Sequence, residues 1–245
     1  MLILEGYGLT ETSPVITVNR PGQFKFGTVG LPLPGVEVKI APDGEILTRG
    51  ALVMKGYFKN EEATQEALRD GWFHTGDIGE IDSDGFLKIT DRKKDLIKTA
   101  GGKLISPQNL ESEILKDPLF SQVVALGDKR PYLVALAVPS RPQLEKLAEE
   151  AHIQAAGWEA LVQHPKILEM AQQRVRDRLK EFARYEQIQY LHLLPKELSQ
   201  EAGELTPTLK VRRRVVMERY APAIDALYQK GEAVGRKSSL ASGLI

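Results

Sequence analysis

The sequence predicts an α+β chain: a β-rich, small barrel-like part over residues 1–91, then a mixed α/β domain over 92–230 carrying an added helical segment. Three patterns predict it. Short alternating runs joined by turn residues recur before Asp91, strand-like and helix-like stretches alternate after it, and an apolar stripe at spacings of three and four runs toward Tyr185. Gly231 to Ile245, rich in Gly, Ser and Lys, is expected to be a disordered tail.

Each element has a local cause. Val36 to Ile40 alternates apolar and polar, Ala41-Pro42-Asp43-Gly44 is turn chemistry, and Glu45 to Arg49 resumes as a strand, so a hairpin is expected. Asn60 can cap a helix whose first turn holds Glu61 and Glu62, with Gly71 just past its end near Asp70. A second hairpin pairs Ile78–Ile81 with Phe86–Thr90 across Asp82-Ser83-Asp84-Gly85. Ser106 before Pro107 opens a helix to about Leu115. Val123–Leu126 and Leu133–Val138 read as strands. From Gln143 to about Tyr185 the pattern is helical; Leu168, Ala171, Val175, Leu179 and Phe182 face one side, and mixed charges opposite favour packing on the helix's own domain.

Composition narrows the chemistry. Lys and Arg total 33, as do Asp and Glu, so no global field points to nucleic acid or an acidic membrane. There is no cysteine, which excludes disulfides, thiolate metal sites and a cysteine nucleophile and fits a cytoplasmic location. No apolar run reaches the roughly 20 residues of a membrane span, and the start MLILEGYG lacks the basic region and long apolar core of a signal peptide, so a soluble protein is expected, with peripheral membrane contact left open. No internal repeat occurs.

Four segments carry chemistry. Gly6-Tyr7-Gly8-Leu9-Thr10-Glu11-Thr12 offers close backbone approach, an aromatic face, a hydroxyl and a hard oxygen ligand, the parts of a nucleotide site; alone, it reads equally as a glycine turn. In Gly71-Trp72-Phe73-His74-Thr75-Gly76-Asp77 the aspartate suits ribose hydroxyls, or a cap before Ile78. His74 reads as structural, because histidines at 74, 152, 164 and 192 form neither a ligand spacing nor a triad. Asp91 to Lys103 is basic around two glycines and reads as a surface turn or linker, without the aromatic interleaving of a nucleic-acid site. In Leu205-Thr206-Pro207-Thr208-Leu209-Lys210, Pro207 places Lys210 on a mobile loop before a helix whose solvated face holds Arg212 to Arg214.

Taken together and in order, YGLTET, GEILTRG, the Gly-Trp turn into HTGD, DRKKDLIK-x-x-GGK and TPTLKVRR resemble the late motif set of the adenylate-forming superfamily, over residues 1 to about 230. DRKKDLIKTAGGKLISPQNLE and LTPTLKVRR look most like bacterial long-chain fatty acyl-CoA synthetases. The resemblance implies an AMP site of Gly6, Tyr7, Gly8, Thr10, Asp77, Arg92 and Lys98. Within it Tyr7 stacks on adenine, Thr10 touches the α-phosphate, Glu11 ligates Mg2+, and Asp77 with Arg92 holds the ribose. It further implies Lys210, Thr10 and Glu11 as catalytic, Lys94 as a domain hinge, and Gly101, Gly102 and Lys103 as the face met by CoA. The implied reaction uses ATP, a long-chain fatty acid and CoA. Two alternatives stand: loading of an acyl carrier protein, and a non-catalytic nucleotide-binding or interaction module. The family's early Ser/Thr/Gly-rich phosphate loop lies upstream of YGLTE, where this chain has only Met1 to Glu5; a truncated chain, inactive alone, is therefore expected.

Overall fold

The computed structural model describes residues 3–242, with side chains through Gly231, and divides into two units at residues 1–96 and 97–245. The division falls a few residues after the boundary at 91/92 that the sequence suggested, because strand and turn pairing continues beyond Asp91.

The first unit is built from hairpins. Strands β1 (Gly6–Tyr7), β2 (Thr17–Val18) and β3 (Leu31–Pro32) form one antiparallel sheet. A second sheet contains β4 (Glu37–Ile40) and β5 (Glu45–Arg49), then, after helix α1 (Glu61–Ala67), β6 (Leu68–Arg69), β7 (Trp72–Ile81) and β8 (Leu87–Arg92). Both expected hairpins are present, with Ile40 opposite Ile46 and Ile81 opposite Leu87. The ten-residue β7 pairs with β5, β6 and β8, so one strand organises the sheet. The Asn60 side chain caps α1 by accepting from Ala63 N–H. That helix stops at Ala67 rather than near Asp70, since Leu68 and Arg69 are taken into pairing with Phe73 and Trp72. The core of this unit gathers Tyr7, Ile16, Ile46 and Leu87.

The second unit begins with the hairpin β9 (Ile97–Lys98) and β10 (Leu104–Ile105), followed by α2 (Pro107–Ile114), which Ser106 caps as its Oγ accepts from Asn109 N–H. Strands β11 (Phe120–Leu126) and β12 (Leu133–Pro139) are antiparallel. Helices α3 (Arg141–Glu150), α4 (Trp158–Val162) and α5 (Pro165–Arg178) intervene before β13 (Ile188–Leu193), which runs parallel to β12. Helices α6 (Arg213–Arg219) and α7 (Ala221–Ser242) close the chain.

Strand β12 explains the layering. It is buried on both faces: Leu133, Ala135 and Ala137 join one core with α2 and α5, while Val134, Leu136 and Val138 join another with Val216 and Leu227. Cutting Leu133 or Leu136 to alanine would cost about 2–5 kcal/mol. Ile167, Ala171 and Val175 line the buried side of α5, with Leu168 at its edge and Leu179 and Phe182 just past its C-terminal end, so this helix packs on its own unit as expected. Arg174 pairs with Asp117 at 3.0 Å and Arg178 with Glu113, tying α5 to the end of α2. The tail expected to be disordered from Gly231 instead continues α7 through Ser242; residues 243–245 lie outside the described residues.

Candidate functional site

In the first unit the sequence-distant residues Tyr7, Asp77 and Arg92 meet. Register places Asp77 of β7 opposite Arg92 of β8, and Arg92 Nε lies 2.9 Å from Asp77 Oδ1. From the other side the Tyr7 hydroxyl donates to Asp77 Oδ2 at 2.6 Å, and Thr75 Oγ1 accepts from Asp77 N–H. Burial, reinforced by the Asp77 carboxylate, pushes the Tyr7 phenol far above the usual tyrosine range, so it stays a proton donor. Asp77 is 3% exposed and Tyr7 8%, whereas Arg92 is half exposed. A carboxylate has about four lone-pair positions, and Tyr7 and Arg92 occupy two here.

Thr10, Glu11 and Thr12 form a 3₁₀ turn after Gly8. Gly8 is required there by the chain itself: a Cβ would fall 1.6 Å from the Pro14 carbonyl oxygen, so this glycine serves packing of the turn. Thr10 is exposed on that turn. Glu11 Oε1 accepts from the Tyr57 hydroxyl at 2.9 Å, which leaves Oε2 available as a single hard donor. Among the described residues no group of three His, Cys, Asp or Glu could hold a metal by itself. The donor set therefore fits only an Mg2+ whose other ligands are phosphate and water, the usual habit of that ion.

Beside this cluster lies an open cleft of about 570 Å³ lined by Tyr57, Arg69, His74, Gly76, Arg92 and Lys94. Its floor is organised by Glu45, which is 3% exposed and accepts from Lys93 Nζ at 2.7 Å, His74 Nδ1 at 2.9 Å and Gly76 N–H at 3.0 Å. Lys93 also reaches Asp43 at 2.7 Å. Burial alone would raise the Glu45 carboxyl; its three donors outweigh burial and hold it below the usual range. Since that carboxylate can only accept, Nδ1 of His74 carries the proton toward it, and Arg69, 3.2 Å from the same nitrogen, is a neighbour rather than a donor. Lys94, the expected hinge, sits in the 3₁₀ turn Lys93–Asp95 immediately before the division between units.

The second unit carries the remaining expected residues. Lys98 belongs to β9, and the turn Thr99–Lys103 closes through Gly102 N–H to Thr99 O at 2.9 Å and Thr99 N–H to Lys103 O at 3.0 Å. Gly102 has φ +75° with open space where a Cβ would point, and Gly101 meets only the Thr99 hydroxyl at 3.9 Å, so this backbone is bare to an approaching group. The Lys103 ammonium lies 5.4 Å from the centre of the Tyr185 ring. Lys210 is exposed and makes no ion pair among the described residues.

Sequence reasoning missed Tyr57, Glu45 and Lys93. Tyr57 stands 46 positions from Glu11 and Lys93 48 from Glu45, and no local pattern announces either pair. Buried glutamates inside strand or turn signals leave only one trace, a charge where alternation asks for an apolar residue.

Two family models match this chain: the one described as AMP-binding enzyme over residues 1–58, and AMP-binding enzyme C-terminal domain over residues 94–232. The chain belongs to the AMP-binding enzymes. Among curated proteins, Long-chain-fatty-acid--CoA ligase FadD15 of Mycobacterium bovis is 42% identical over 232 residues, covering 94% of this chain and 38% of its own length. Long chain acyl-CoA synthetase 2 of Arabidopsis thaliana is 34% identical over 250 residues, covering 93% and 37%. The chain therefore spans less than two fifths of these relatives. Among solved structures, O-succinylbenzoate Coenzyme A Synthetase (MenE) from Bacillus subtilis, in complex with AMP, superposes with TM-score 0.58 at 28% identity, covering 86% of this chain and 40% of that one.

Proposed function

We propose that these residues belong to an AMP-forming long-chain fatty acid–CoA ligase and supply its ribose-binding carboxylate, a Mg2+ ligand and the adenylation lysine. The carrying observation is the Asp77 carboxylate, oriented by the Tyr7 hydroxyl and covered by a half-exposed arginine, within a chain 42% identical to a named long-chain-fatty-acid–CoA ligase. Asp77 and Arg92 take the ribose. Thr10 lies beside the α-phosphate, and Glu11, steadied by Tyr57, offers its free oxygen to Mg2+, which would neutralise phosphate charge when bound.

In the first half-reaction the fatty carboxylate attacks the α-phosphorus of ATP; the new P–O bond gives acyl-adenylate and pyrophosphate leaves. Lys210 contributes a positive charge where negative charge develops on the transferring phosphoryl group. In the second, the CoA thiolate attacks the acyl carbonyl, a thioester forms and AMP leaves. The bare Gly101–Gly102 backbone and Lys103 receive the thiol-bearing arm. Lys94, in the turn just before the division between the units, absorbs the dihedral change that exchanges the Lys210 segment for this glycine face.

Measured in the whole protein, Lys210→Ala should abolish ATP–pyrophosphate exchange with palmitate and spare thioester formation from preformed palmitoyl-adenylate. Equal loss of both steps would refute the role. Product analysis with CoA against a holo carrier protein separates the ligase from a carrier-loading enzyme.

A further inference from the structure

The lysine segment, expected as a loop, is a hydrogen-bonded hairpin. Leu205 and Val211 bridge as antiparallel partners, Thr206 N–H donates to Lys210 O at 2.8 Å, and Lys210 N–H returns to Thr206 Oγ1 at 3.0 Å. Leu209 N–H donates to Thr206 O at 2.9 Å, and Arg212 N–H to Glu204 O at 2.7 Å. Residues 204–212 are therefore a tight hairpin, hydrogen-bonded from tip to root.

The root is nailed down by one carboxylate. Glu204 is 2% exposed; its Oε1 accepts from Arg219 NH1 and from the Tyr220 hydroxyl, both at 2.9 Å, and its Oε2 accepts from Ser199 N–H at 2.9 Å. Arg219 and Tyr220 stand at the end of α6, so Glu204 ties the hairpin to a helix packed through Val216 on the second core. At the tip, Leu209 adopts φ +61° while 67% exposed. A branched residue holds that left-handed geometry only where its surroundings fix the backbone.

We propose that Glu204 is a positioning residue for Lys210: it presets the hairpin that presents the lysine. This rests on the adenylation role given to Lys210 above. A pre-set charge loses nothing to reorganisation during phosphoryl transfer, whereas a displacement near 1 Å can cost about a hundredfold in rate.

The test compares half-reactions in the whole protein. Glu204→Gln keeps the shape of the side chain but removes its charge and one acceptor; it should lower ATP–pyrophosphate exchange by about tenfold to a hundredfold, with thioester formation from preformed acyl-adenylate unchanged. Tyr220→Phe, which removes one donor and keeps the carboxylate, should fall between wild type and Glu204→Gln. Equal loss of both half-reactions in Glu204→Gln, or loss of neither, overturns the inference. Hydrogen exchange supplies a readout apart from activity. The amides of Thr206, Leu209 and Arg212 should be protected in the wild type and lose protection in Glu204→Gln, while Val134 to Leu136 keep theirs. Hairpin amides that exchange freely in the wild type also overturn it. Lys210→Ala runs alongside: if it leaves exchange intact, the reading of Lys210 has failed; if it abolishes exchange while Glu204→Gln does nothing, only the positioning role has.

Discussion

The Tyr7 hydroxyl donates a 2.6 Å hydrogen bond to Asp77 Oδ2 across 70 positions of sequence, joining the first motif of the chain to the second. An aromatic residue that looks like a stacking platform is thereby also the anchor of a carboxylate. The two roles separate in one substitution. Tyr7→Phe keeps the ring and removes the donor, so stacking would survive and carboxylate orientation would not. A hydrogen bond to a charged group contributes about 1.5–3 kcal/mol. Calorimetric titration of the whole protein with AMP should show weaker binding in Tyr7→Phe, and weaker again in Asp77→Asn. AMP affinity unchanged in Tyr7→Phe would leave stacking as the sole contribution of this residue.

The buried carboxyls predict an acid limit to stability. Glu45 and Glu204 both sit in the fold below their ordinary range: burial pushes each upward, but Lys93, His74 and Gly76 N–H outweigh it at Glu45, as Ser199 N–H, Tyr220 and Arg219 do at Glu204. A depressed carboxyl contributes stability that is fully present above its unfolded pKa near ~4.3 and is lost as pH falls through the folded value. Lys93 runs the other way. Asp43 and Glu45 raise it, so its contribution is present below about 10.4 and is lost as pH rises through the higher folded value. Urea midpoints should therefore be flat near neutrality and drop below about pH 4. Glu45→Gln should flatten that acid drop, and an unaltered pH profile would contradict the ion-pair account.

Local signals were legible in proportion to how local their causes are. The hairpins at Val36–Arg49 and around Asp82–Gly85, the Asn60 and Ser106 caps and the α5 stripe all follow from residues within a few positions of one another. Errors arose where a distant partner decided. Leu68 and Arg69 look helical until Phe73 and Trp72 pair with them. The lysine segment reads as a plain loop, and neither its hairpin pairing nor the contacts of Glu204 with Arg219 and Tyr220 have a local signal. Tyr7, Asp77 and Arg92 could be named from ordered motifs, but the hydrogen bond that makes Tyr7 an anchor comes from folding β1 onto the second hairpin.

Leu209 offers the sharpest test of how the lysine is presented. Its φ of +61° is a region where an L-residue pays about 1–2 kcal/mol relative to right-handed backbone, and where glycine pays nothing. Its side chain is mostly exposed, so little packing within the described unit offsets that cost. Leu209→Gly should thus fold as well as the wild type, its relief of strain set against glycine's greater freedom when unfolded, worth roughly 0.4–1 kcal/mol. Leu209→Ile, branched at Cβ, should be the less stable of the pair, and Leu209→Pro, locked near φ −65°, should break the turn and remove the Leu209 N–H to Thr206 O bond. If the hairpin is held from its root, adenylation should persist in Leu209→Gly and collapse in Leu209→Pro, with the core of the unit still folded in both. Thermal unfolding and pyrophosphate exchange measured on the three variants give the order directly. A Leu209→Gly protein that unfolds early and exchanges poorly would mean that the leucine side chain, not the root of the hairpin, fixes the position of Lys210.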